Sequence, residues 1–214
     1  MDVIDKIYII NLDERRDRYD ALVKEFKRVG ITDYIRFPAV RPSLDDYDTT
    51  RNKYASQDPN YIRGSLGCKL SHLAILKHAR NNGYKYILIF EDDVEFTESN
   101  TGALSRALKI LVPAGEFTLL YLSANLYRAK LTRVGGVSGV SKISNALCAH
   151  SYVVNCKEIN YLIRGLEASL HEVDVFYKQV QLEKKCYILA PGITKQRAGY
   201  SNIMERKVVY ETIG

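Results

Sequence analysis

Three carboxylates, Glu91, Asp92 and Asp93, stand side by side directly after the apolar run Tyr86-Ile87-Leu88-Ile89-Phe90. Adjacent carboxylates repel one another unless a cation or water offsets their charge. Hard oxygen donors of this kind suit Mg²⁺ or Mn²⁺, and magnesium sites combine one or two carboxylates with substrate phosphates and water. The competing reading is a solvated acidic turn.

Two further segments carry groups suited to anions. Asn11-Leu12-Asp13-Glu14-Arg15-Arg16-Asp17-Arg18 places three arginines at the start of an expected helix, where the dipole disfavours cations. A phosphate or carboxylate partner would offset that cost, and a solvated face laced with Asp13, Glu14 and Asp17 is the alternative. In Gly64-Ser65-Leu66-Gly67-Cys68-Lys69-Leu70-Ser71-His72, two glycines are expected to precede a helix whose exposed amides can bind an anion. Lys69 and His72, about one helical turn apart, can then face one cleft. There is no GxxxxGK[ST] loop and no GxGxxG after the first apolar run, which weighs against ATPase and dinucleotide-dependent chemistry.

These residues need elements to hold them. Residues 6–10 read as a buried strand, and Tyr19, Leu22, Phe26 and Val29 recur at helical spacing until Gly30. A short strand at 34–37 precedes a polar loop from 41 to 61, and Leu66, Leu70, Leu73 and Leu76 trace a helix through Gly83. After the strand at 86–90 we expect a helix near 101–111, a strand at 117–122, a Gly/Ser-rich stretch at 134–144 and a strand at 148–154. Helices at 158–166 and 173–181 and a strand at 186–189 follow. The alternation predicts an α/β fold with a mostly parallel central sheet flanked by helices, binding ligands at the carboxyl ends of its strands.

With 46% hydrophobic and 26% charged residues, the 214-residue chain has ordinary globular composition, and we expect one domain over 1–214. An excess of 31 Lys and Arg over 25 Asp and Glu leaves a net charge of +6, which suits an anionic ligand or a lipid surface. No apolar run is long enough to cross a bilayer, and the acidic start lacks the order of a signal peptide. Cys68, Cys148, Cys156 and Cys186 show no paired spacing, so free thiols in a reducing compartment are expected. The expected location is the cytoplasm, with peripheral membrane association left open. The 16 tyrosines could stack bases, but the charges alternate and form no basic stripe, so no nucleic-acid partner is expected. A catalytically silent sugar-nucleotide-binding module is the other competing class.

Taken in order, Ile9 to Arg18, Phe37-Pro38-Ala39-Val40, Gly64 to His72 and Ile87 to Val94 resemble glycosyltransferase family 25. That family includes bacterial lipooligosaccharide glycosyltransferases and collagen hydroxylysine galactosyltransferases. Val173-Asp174 resembles its downstream aspartate motif, and Pro191 to Gln196 with Ser201-Asn202-Ile203 its C-terminal motif. The resemblance implies a GT-A type fold and a UDP-sugar donor, commonly UDP-galactose or UDP-glucose, with a glycan or protein hydroxyl as acceptor.

It also implies roles. Glu91 and Asp93 would hold Mn²⁺ or Mg²⁺ against the donor diphosphate, with Asp92 assisting or binding ribose. Arg15, Arg16, Lys69 and Lys195 become phosphate or nucleotide contacts, and Asn11, Leu12, Ala39 and Val40 line the base pocket. His72, Gln196 and Ser201 complete the expected substrate site. An inverting transfer needs a base for the acceptor hydroxyl, and Asp174 is the candidate. The alternatives for Asp174 are a cap on a helix starting at Val175 or a second metal ligand.

Overall fold

Period-two alternation along two apolar strands divides the core in two. In the computed structural model, which describes residues 2–43, 58–98, 101–115, 117–135, 137–147, 149–201, 203 and 206–208, the first strand is β1 (Lys6–Asn11), followed by helix α1 (Arg16–Val29), strand β2 (Ile35–Pro38), helix α2 (Pro59–Asn81) and strand β3 (Tyr86–Glu91). Ile7 and Ile9 of β1, with Leu88 and Phe90 of β3, pack on one face against Leu22 and Phe26 of α1. Tyr8 and Ile10, with Ile87 and Ile89, pack on the other against Leu73, Ile75 and Leu76 of α2. Burial on both faces is why these strands read as unbroken apolar runs.

The rest of the chain extends both layers. Strand β4 (Val94–Phe96), helix α3 (Gly102–Ala114), and strands β5 (Leu119–Tyr121), β6 (Lys130–Arg133), β7 (Val140–Ser144) and β8 (Ser151–Asn155) come next. Helices α4 (Ile159–Ala168) and α5 (Val173–Glu183) and strands β9 (Cys186–Leu189), β10 (Thr194–Gln196), β11 (Gly199–Ser201) and β12 (Arg206–Val208) complete the order. Helix α3 joins α1 on one face, and α4 and α5 join α2 on the other. The main sheet has eight strands in the order β2-β1-β3-β8-β5-β9-β7-β6. Only β8 and β7 run against the others, so six of the eight point one way. The mostly parallel sheet between helical layers matches the expectation. Among the described residues, no helix is long and apolar enough to cross a membrane.

Two local expectations need correction. Helix α2 begins at Pro59, not near Leu66, because Asp58 accepts a hydrogen bond from the Asn60 amide and proline sits at the first turn, where its missing N–H costs nothing. Gly64 and Gly67 therefore lie inside the helix, and their amides do not form an anion-binding helix start. The Gly/Ser-rich stretch contains β7, paired with β6 from Lys130↔Ser144 to Arg133↔Ser141. The expected loop at 41–61 lies outside the described residues from 44 to 57, as does Cys148. Cys68, Cys156 and Cys186 are free thiols.

Candidate active site

The carboxyl ends of β1, β2 and β3 meet at one edge of the sheet, and a cleft of about 320 Å³ opens there. Its floor starts at Asn11, which is 1% exposed. The Asn11 amide donates to Asp92 at 2.7 Å and to the Arg15 carbonyl at 2.9 Å, and its carbonyl accepts from Arg36 at 2.8 Å. Arg18 then binds Asp92 at 2.8 Å and donates to the Tyr200 carbonyl at 2.6 Å, tying α1 to the β11–β12 hairpin. Burial raises the Asp92 carboxyl, and Arg18 and Asn11 oppose that rise.

Helix α2 forms the opposite wall, and Gly67 sets its distance. A side chain there would meet the Val40 carbonyl at 2.5 Å, so only glycine lets the helix pack on the segment after β2. The Val40 amide donates to Ser71 Oγ at 2.8 Å across the same contact. The glycine thus serves a backbone-to-backbone approach. Leu12, Ala39 and Val40 line the cleft together with Asn60, Arg63 and Arg41.

The three adjacent carboxylates meet different partners. Glu91 accepts from His72 Nε2 at 3.2 Å and from Cys68 Sγ at 3.6 Å. Burial opposes its ionisation, but His72, His150 and Cys68 together outweigh it and hold the carboxyl below the usual range. Asp92 is paired as described. Asp93 is 9% exposed, and its Oδ1 has no hydrogen-bond partner among the described residues. Its Oδ2 receives a long 3.4 Å contact from Gln196. Burial first, and then the negative charge of Glu91, push the Asp93 carboxyl up to about 7. A buried carboxylate oxygen without a donor calls for an explanation, and a hard cation supplies one. The oxygen donor at Asp93 therefore fits Mn²⁺ or Mg²⁺. At Glu91, one oxygen is already engaged by His72 and Cys68.

The C-terminal segment reaches this edge through β10, which pairs with β4 just beyond Asp93. The Arg197 amide donates to the Asp93 carbonyl at 2.6 Å, and Gln196 and Ser201 line the cleft. A second cleft of about 170 Å³ adjoins the first, sharing Cys68, Glu91, Gln196, Ser201 and Ile203. Asp174 and Glu172 line it with Tyr61. Asp174 lies in the first turn of α5, which starts at Val173, so it is not the cap of a helix beginning at Val175.

Five of the expected contacts lie off both clefts. Arg15 pairs with Asp17 at 2.8 Å, and Arg16 is exposed at the first residue of α1. The Lys69 ammonium donates to the Ser169 carbonyl at 2.8 Å, and Lys195 pairs with Glu95 at 3.3 Å. His72 is fully buried behind Glu91 and lines neither cleft. Of the three clustered arginines the one that lines the cleft is Arg18, which sequence reasoning passed over. Its spacing was the available signal, since Arg18 lies one turn before buried Leu22 and so on the inward face of α1. Asn60 and Arg63 were missed because the start of α2 was missed.

Comparison with known proteins identifies the family. The family described as glycosyltransferase family 25 (LPS biosynthesis protein) matches residues 4–177. A protein of Acanthamoeba polyphaga mimivirus named as a glycosyltransferase is 32% identical over 124 residues, 56% of this chain and 38% of that protein. Procollagen galactosyltransferase 2 of Mus musculus is 26% identical over 137 residues, 59% of this chain and 22% of its own length. The Homo sapiens protein named inactive glycosyltransferase 25 family member 3 is 26% identical over 147 residues, 64% of this chain and 24% of its own length. The chain thus spans less than half the length of each of these relatives. A match over most of the sequence, ending at the helix that carries Asp174, establishes that the chain belongs to glycosyltransferase family 25.

Proposed function

We propose that this chain transfers a hexose, galactose or glucose, from a UDP-sugar to a hydroxyl of a glycan or of a hydroxylysine-containing protein, with inversion and with Mn²⁺ or Mg²⁺ as cofactor. The observation that carries the reading is the buried Asp93 Oδ1, without a hydrogen-bond partner among the described residues, in a cleft whose other charged groups include Arg18, Arg41 and Arg63. Asp93, with Glu91 as a second candidate ligand, would hold the cation, and the bound ion would offset the charge that builds on the diphosphate leaving group.

The protein's own groups do the rest. Leu12, Ala39 and Val40 offer an apolar wall to the base, and Asn11 holds Asp92 in place for ribose. Arg18, fixed by Asp92 and the Tyr200 carbonyl, presents a cation beside the diphosphate. Gln196 and Ser201 stand where the clefts join, suited to the sugar. Asp174 in the second cleft accepts the proton of the attacking hydroxyl, so that nucleophile and leaving group lie on opposite sides of the anomeric carbon.

A relative named inactive raises the reading of a silent binder. Incubating the chain with a panel of nucleotide sugars, with Mn²⁺ or with chelator, separates the two. Metal-dependent release of UDP supports transfer; tight binding of a nucleotide sugar with no turnover of any donor supports the silent module.

A further inference from the structure

A second group of donor atoms converges on the far side of Glu91. Cys68 and His72 are four residues apart on α2 and project from one face. Glu91 meets them from the end of β3. Its Oε1 lies 3.2 Å from His72 Nε2 and 3.6 Å from Cys68 Sγ, and the three donor atoms all fall within 4.8 Å of one another. A tetrahedral ion with bonds of about 2.0–2.1 Å to nitrogen and oxygen and about 2.3 Å to sulfur has N···O and S···O edges of roughly 3.3 and 3.6 Å. The two separations are close to those edges without any rearrangement.

The surroundings also fit. His72 Nδ1 lies 2.7 Å from Tyr152 Oη, which lies 3.1 Å from Tyr177 Oη. Uptake of an ion would place the His72 proton on Nδ1, donating to Tyr152, and leave the Nε2 lone pair to the ion beside Glu91, the arrangement that orients metal-binding histidines. His72 is fully buried, whereas Cys68 and Glu91 line both clefts, so an ion can arrive from solvent. A thiolate, an imidazole and a carboxylate form a softer set than the oxygen donor at Asp93, and such sets select zinc over magnesium or manganese.

The geometry points to a separate zinc-type site, in which Cys68 Sγ, His72 Nε2 and Glu91 Oε1 bind a thiophilic divalent cation with a fourth position open to the junction of the two clefts. It does not depend on the transfer reading, since its donors hold whichever sugar nucleotide is used. Binding sends the Cys68 thiol proton to solvent and leaves His72 a neutral ligand, so uptake of the ion releases acid.

The test is to titrate the metal-stripped full chain with Co²⁺ in a non-thiol reductant. One equivalent should produce a sulfur-to-metal charge-transfer band with tetrahedral visible bands. Zn²⁺ should abolish both, and excess Mg²⁺ should leave them. Cys68→Ser should lose the charge-transfer band, Glu91→Gln should weaken Co²⁺ binding at least tenfold, and Asp93→Asn should keep the spectrum. Absence of the band in the parent chain, or a band undiminished in Cys68→Ser, overturns the site. The parent titration decides the matter even if a variant fails to fold.

Discussion

The two clefts share a wall but differ in charge. The first combines Arg18, Arg41 and Arg63 with Glu91, Asp92 and Asp93. Among the described residues, the charged groups that line the second are Glu91, Glu172 and Asp174, and no Lys, Arg or His lines it. Mixed charge with one carboxylate oxygen that has no partner among the described residues suits a polyanion bound together with a cation. An acidic lining without basic side chains suits a neutral hydroxyl that must give up a proton. On the proposed reading the first cleft takes the donor and the second the acceptor, and that division can be attacked one residue at a time.

The largest effect is expected in the acidic cleft. Asp174→Asn should bind UDP and metal as the parent does while losing about 10²–10⁴-fold in transfer rate at saturating donor. Parental turnover would remove Asp174 as the base, and loss of metal-dependent UDP binding would move it into the metal shell. Next is Arg18→Ala, which leaves the buried Asp92 charge without its ion pair. A cost of roughly 2–3 kcal/mol in stability is expected, together with weaker UDP binding. Thermal melts and calorimetry read the two effects separately, and unchanged values in both would detach Arg18 from the cleft.

A smaller effect follows from Asp93. Its carboxyl is raised to about 7 from an ordinary value of 3.8, so the native state binds a proton that the unfolded chain has already lost. The stability this protonated form retains below about pH 4 is lost as pH rises through about 7. In chelator, the parent should therefore melt lower at pH 8 than Asp93→Asn, with the gap closing towards pH 4; a midpoint difference of roughly 2–8 °C is expected. Melts across that range check it, and identical profiles would contradict the burial argument. Smallest of all, Arg15→Ala and Arg16→Ala should change UDP affinity by less than about 1 kcal/mol, because neither side chain lines the cleft.

Much of this arrangement was legible before the fold was known, and what was missed has physical causes. The buried strands β1 and β3 announced themselves as apolar runs, and α1 showed its inward stripe and its end at Gly30, a left-handed cap with φ of 78°. Strand β6 could not be read, since its four residues are all exposed and it is a strand only by pairing with β7. The start of α2 was hidden because Asp58-Pro59 sits in a polar stretch with few apolar positions to show a period. The carboxylate triplet falls at the end of β3, as the apolar run before it implied, but three adjacent acids look alike in sequence. Their separate fates depend on partners distant along the chain: His72 for Glu91, Arg18 and Asn11 for Asp92, and for Asp93 a long contact from Gln196 to Oδ2 and no donor to Oδ1 among the described residues.

The central claim is that Asp93 and a divalent cation together create the donor site. Calorimetric titration of UDP into the parent chain and into Asp93→Asn, each with Mn²⁺ and with chelator, tests it most directly. The expected result is micromolar-range binding by the parent only when Mn²⁺ is present, and no Mn²⁺-dependent gain for Asp93→Asn. Equal UDP affinity for the parent with Mn²⁺ and with chelator, or an undiminished Mn²⁺ effect in the variant, would contradict it.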